Sequence, residues 1–195
     1  MKTRACLLLL LGTTALMAGC SRPYTGKLEH KVHAMTVIAG PGITGEAKLY
    51  QEYEGRVRIV LKIEGTADSK LTPGLHAVHI HETGACDPFT AAKGHFDGNV
   101  DPQVNPEANV STGLANHPYH LGDLPNLQVD ENRRGTLYTL TSRVMLTPGL
   151  ISLFDKDGSA FIIHGLEDKY LPDPPTKDAP GGPRIACGVI VLQPS

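Results

Sequence analysis

The chain has no tryptophan, only four phenylalanines and six tyrosines, and no surplus of positive charge. Its 18 basic residues stand against 20 acidic ones, a formal charge of −2. A nucleic-acid binder normally carries a basic excess, so the charge argues against that class. Long apolar runs are also missing: the longest stretch near the N-terminus spans residues 5–11, too short to cross a bilayer as a helix. No segment keeps a 3.6-residue apolar period over three turns, and no internal repeat is present. Turn formers are abundant instead, with 21 glycines and 15 prolines beside 41% apolar residues. That mixture describes one soluble, turn-rich domain and argues against disorder throughout.

The first 19 residues read as an export signal: Lys2 and Arg4, a short apolar core, then small residues leading to Cys20. The ending "LMAGC" resembles the lipobox of bacterial lipoproteins, with cleavage before Cys20 and lipid on its thiol; plain secretion is the alternative. Ser21 after it resembles lipoproteins sent to an outer membrane, which places the chain at a periplasmic face. Residues 20–31 form a polar tether and 32–195 the domain. Losing Lys2 and Arg4 with the signal leaves 16 basic against 20 acidic residues, near −4. Of four cysteines, Cys6 departs with the signal and Cys20 takes lipid. Cys86 and Cys187 remain, and in an oxidising compartment they read as one disulfide, with two separate buried thiols as the alternative.

The remaining chain has period two. In "GRVRIVLKIEG", Val57, Ile59, Leu61 and Ile63 share one face while Arg56, Arg58 and Lys62 take the other, as in a half-buried antiparallel strand. "KVHAMTVIAG", "GEAKLYQEYEG", "TLYTLTSRVML" and "IACGVIVLQ" behave alike, separated by Gly, Pro, Asn or Asp. Many short strands between turn signals predict an all-β sandwich or Greek-key barrel. Two segments, 82–123 and 165–184, break the rhythm and predict long loops, the first of them functional.

Nine histidines occur, six of them between His76 and His120. Residues two apart on a strand project together, so His79 and His81 in "VHIH" suit one metal ion. His76 is offset by an odd number and reads as a hydrogen-bonded structural residue. "ANHPYHLGDLPN" offers His117, His120 and Asp123 on a turn-rich loop, and "FIIHG" ends an apolar strand on His164. Copper favours imidazole nitrogens, and zinc takes imidazole with carboxylate. His79, His81 and His164 could therefore hold one metal, and His117, His120 and Asp123 a second. His95 in "KGHFDG" has two ring nitrogens and could serve both. Spacing makes this set plausible without proving it.

"GLHAVHIHETG", "HLGDLPN", "FIIHG" and "GGPRIACGVI", in that order, resemble the copper/zinc superoxide dismutase family over residues 32–193. The resemblance implies an eight-stranded Greek-key β-barrel and dismutation of superoxide to dioxygen and hydrogen peroxide. It implies copper on His79, His81, His95 and His164, and zinc on His95, His117, His120 and Asp123, with His95 bridging. Arg184 matches the family's active-site arginine. Asp168 matches the carboxylate that links ligands of the two metals, and Cys86 with Cys187 its disulfide. Two spacings depart from the family's: Cys86 follows His81 by five positions and His120 follows His117 by three. A lipid-tethered module that captures metal without turnover is the competing class. The chain leaves room for a homodimer but marks no strand face for it.

Overall fold

The computed structural model describes residues 34–52, 55–98, 119–170 and 179–194. The export signal, Cys20 and its tether, and His117 lie outside the described residues. Ten strand segments carry the fold: β1 (Ala34–Gly40), β2 (Ile43–Gln51), β3 (Val57–Gly65), β4 (Gly74–His76), β5 (Val78–His81), β6 (Leu127–Val129), β7 (Arg134–Thr141), β8 (Ala160–His164), β9 (Arg184–Val189) and β10 (Val191–Leu192). A short 3-10 turn, Phe89–Ala92, lies in the loop after β5.

All strands join one antiparallel sheet in the order β4-β6-β7-β3-β2-β1-β9-β8-β5, with β10 beside β1. The insertion of β1 between β2 and β9 is the long-range return that a Greek key requires. β4 and β5 stand at opposite ends of that order, yet only Ala77 separates them in the chain. The backbone itself therefore joins the two edges and curls the sheet into a barrel. Counted through Ala77, and through Ile190 between β9 and β10, the ten segments make the eight strands that the resemblance implies.

Alternation decides what lies inside. Val57, Ile59, Leu61 and Ile63 of β3 are buried, as the period of two predicts, and they join a core running from Ala34 to Ile190. Burying each Val, Leu or Ile side chain fully contributes about 1.5–3 kcal/mol. Val78 and Ile80 of β5, with Phe161 and Ile163 of β8, point into this core. By the same alternation His79, His81, Ile162 and His164 lie on the outer wall.

These outer residues are nevertheless buried, with His79 and His81 at 0% exposure, because the long loops lie over the wall. Ala92, Ala160, Ile162 and Cys187 form a small second cluster there, with Cys86 and Phe89 against it. The Cys86–Cys187 disulfide fastens the loop to β9 across 101 residues of chain. Closing so long a loop stabilises the fold by about 4–5 kcal/mol on the chain-entropy account. The site thus sits outside the barrel, between a rigid wall and covering loops.

Candidate metal centre

Strand pairing builds the wall. β5 and β8 run antiparallel with His79 opposite Ile162 and His81 opposite Ala160. A register shift between Ile163 and His164 brings His164 opposite Arg184 of β9. On the free side of β5 two loop pieces dock like short strands, placing His81 against His95 and His79 against Asp123. Phe96 N–H donates to the Ile80 carbonyl at 2.9 Å, Ile80 N–H to the Gly122 carbonyl at 2.9 Å, and Gly122 N–H to the Phe96 carbonyl at 2.8 Å. Gly122 has to be glycine, since a Cβ there would stand 2.2 Å from the Ile80 carbonyl oxygen.

The result is a cluster of four histidines. His79, His81, His95 and His164 each offer a donor atom, and these atoms all lie within 4.8 Å of one another. Ring centroids are 4.0 Å apart for His79 and His95 and 4.9 Å for His81 and His95. Each ring is aimed through its other nitrogen: His79 Nε2 at Asp168 Oδ2 (3.0 Å), His81 Nδ1 at the Lys93 carbonyl (3.0 Å), His164 Nδ1 at the Gly182 carbonyl (3.0 Å). Nε2 of His81, Nε2 of His164 and Nδ1 of His79 are buried in the cluster and make no hydrogen bond. A buried polar atom left so is costly unless something coordinates it. Four imidazoles suit copper, so the residues fit that ion.

Burial holds the His164 imidazole down to a pKa of about 4, helped by the charges of His95 and Arg184 and opposed by its bond to Gly182. Burial likewise keeps His81 well below the ordinary range. Such rings stay neutral, as metal ligation needs. In the unfolded chain an imidazole takes its proton near 6.5, whereas folded His164 waits until about 4. Acid therefore favours the unfolded state across that window, by about 3 kcal/mol for such a shift. The urea midpoint of the metal-free protein should hold above pH 6.5 and drop steadily towards pH 4. A flat midpoint over that interval would contradict the burial account.

The second compartment lies on the far side of His95. Its Nδ1 is 2.5 Å from Asp123 Oδ1, while Asp123 Oδ2 accepts the His120 backbone N–H at 3.0 Å. The His95 and His120 ring centroids are 5.1 Å apart. His120 Nδ1 meets a residue that sequence reasoning passed over, Asp97, whose Oδ2 is 2.7 Å away. His95, His120 and Asp123 are thus brought together as their spacing suggested, and two imidazoles with a carboxylate fit zinc.

Several groups hold these side chains. Asp168 grips His79 on one side. On the other it joins the Asp123 segment through Asn126, which accepts the Asp168 N–H at 2.8 Å and donates to its carbonyl at 2.9 Å. Arg184 donates to the Phe89 carbonyl at 2.7 Å and also to the Lys93 carbonyl, the group that orients His81. Burial lowers the Arg184 pKa without discharging so strong a base at neutral pH. His76 ties the carbonyls of Thr72 (2.8 Å) and His164 (2.7 Å) together, the structural part its odd offset suggested. Arg143 donates to the His120 carbonyl. Asn126, Lys93 and Arg143 act largely through backbone carbonyls, which no side-chain pattern advertises.

A closed β-barrel carrying a four-histidine cluster on its outer wall, with a histidine–carboxylate compartment beside it, describes a two-metal oxidoreductase. The family model for copper/zinc superoxide dismutase matches residues 43–190. "Superoxide dismutase [Cu-Zn] 1" of Aquifex aeolicus is 37% identical over 168 residues, covering 83% of this chain and 88% of that protein. "Superoxide dismutase-like protein YojM" of Bacillus subtilis is 30% identical, covering 95% of both. The crystal structure of "the clock protein EA4" shares the fold, with a TM-score of 0.62 at 24% identity, over 84% of this chain and 96% of that one. The chain belongs to the copper/zinc superoxide dismutase family. It is an oxidoreductase that dismutates superoxide with copper and zinc.

Proposed function

We propose that copper is held by His79, His81, His95 and His164, and zinc by His95, His117, His120 and Asp123, with His95 shared. The observation that carries this reading is the four-histidine cluster, whose donor atoms lie within 4.8 Å of one another, with the buried Nε2 atoms of His81 and His164 making no hydrogen bond while their Nδ1 atoms are fixed. When bound, copper supplies one-electron exchange with superoxide and zinc a fixed divalent charge. His95 keeps Nδ1 towards Asp123, which leaves Nε2 for the copper side. There it holds a proton in one half-cycle and releases it to the forming peroxide in the other. Two superoxide anions and two protons thus yield dioxygen and hydrogen peroxide. Arg184, anchored through two carbonyls, keeps further N–H donors for attracting and orienting a small anion.

The purified mature protein should contain copper and zinc in equal amounts and dismutate superoxide. A fully loaded protein without turnover would return the chain to the metal-capture class.

The same proposal places the enzyme outside the cytoplasm, tethered by lipid at Cys20 to the outer membrane and removing superoxide there. The Cys86–Cys187 disulfide supports export, since such bonds persist in oxidising compartments. Labelled palmitate should enter the expressed chain and be lost in Cys20→Ala, with the protein leaving the membrane fraction. Equal labelling of both would overturn the anchor.

A further inference from the structure

The second compartment contains one carboxylate more than the ligand set needs. Asp97 is 6% exposed and follows His95 by two residues. Its Oδ2 lies 2.7 Å from His120 Nδ1, the two side chains being 8% and 3% exposed. Its Oδ1 accepts the Leu121 N–H at 3.4 Å, and its own N–H donates to Glu82 Oε2 at 2.9 Å. The pair repeats what is seen at His95 and Asp123, where Nδ1 and Oδ1 are 2.5 Å apart and the side chains are 12% and 3% exposed. Asp123 joins the two pairs, with one oxygen on the His95 ring and the other on the His120 backbone.

A zinc ion on an imidazole nitrogen sits about 2.0–2.1 Å from it, along the direction in which that nitrogen now meets its carboxylate. For His95 that carboxylate is Asp123, a ligand of the proposed set. For His120 it is Asp97, and the same chemistry applies. A buried carboxylate has no water to retreat to, and a divalent cation arriving in its path draws it in. We propose that Asp97 is a zinc ligand, so that the compartment carries two carboxylates, Asp97 and Asp123. This rests on the reading that zinc sits among His95, His120 and Asp123. A second oxygen donor also makes the compartment harder, which favours zinc over copper(I) and helps keep the two ions in their own places.

The test uses the whole metal-free chain, with Asp97→Asn and Asp123→Asn made separately. Zinc affinity is read by competition with a chromophoric chelator, and the coordination sphere by the visible absorption of cobalt(II) in the zinc position. Asp97→Asn keeps the shape and can still accept from Leu121. It should weaken zinc about tenfold or more and change the cobalt spectrum, leaving the copper content of the four-histidine cluster intact. Zinc affinity equal to the parent's with an unchanged cobalt spectrum, or tighter binding, would overturn the proposal. Asp123→Asn reports on the underlying reading: if it too leaves zinc untouched, the placement of zinc fails, and not Asp97 alone. Should Asp97→Asn not fold, a crystal structure of the zinc-loaded parent decides. An Asp97 oxygen about 2.0–2.2 Å from zinc supports the assignment, and one turned away from the ion ends it.

Discussion

Replacing His164 by Ala is expected to abolish copper-dependent dismutation while leaving the barrel folded. His164 closes β8 just past the register shift, with Nδ1 on the Gly182 carbonyl and Nε2 facing the cluster. Truncation removes one of four converging donors, and the three left behind cannot enclose the ion. The stability cost is that of a stranded Gly182 carbonyl, about 1–3 kcal/mol. That is small beside the 5–15 kcal/mol or so typical of a domain, and the core-facing Phe161 and Ile163 are untouched. Elemental analysis should show copper lost, and the far-ultraviolet circular dichroism of the parent should be retained. Full activity in this variant would refute the copper assignment.

Gly122→Ala should be nearly as damaging, and by a different route. The added methyl would press on the Ile80 carbonyl from 2.2 Å and on Phe96 Cβ from 3.0 Å. Neither can yield, since Ile80 is fixed in β5 and Phe96 is wholly buried. The loop must therefore lift off, breaking the Ile80–Gly122 and Gly122–Phe96 hydrogen bonds and carrying His120 and Asp123 away from His95. Overpacking of this kind costs about 1–3 kcal/mol in stability. The larger consequence is expected in zinc content, which should fall below detection after dialysis against a mild chelator. Zinc retained at the parent's level would show that the loop has room that the close contact denies.

Much of this was legible in the residues. The alternation of Val57, Ile59, Leu61 and Ile63 gave both a strand and its buried face, because a half-buried sheet imposes a period of two. His79 and His81 announced a shared direction for the same reason. What alternation could not convey is that β5 is covered on both sides, by core and by loops, which is why the rings of His79, His81 and His164 end up in a dry place. Nor could it bring Gly94, Phe96 and Gly122 onto the β5 edge, since that docking uses only backbone groups. The Lys93 carbonyl is the plainest case. It serves His81 and Arg184 together, from a residue whose φ of 63° is more typical of glycine. A lysine in the sequence gives no hint of either property.

Because Arg184 is already committed to the carbonyls of Phe89 and Lys93, its side chain has surrendered its rotamer freedom before any guest arrives. A small anion meeting it bears no entropic penalty for ordering the receptor.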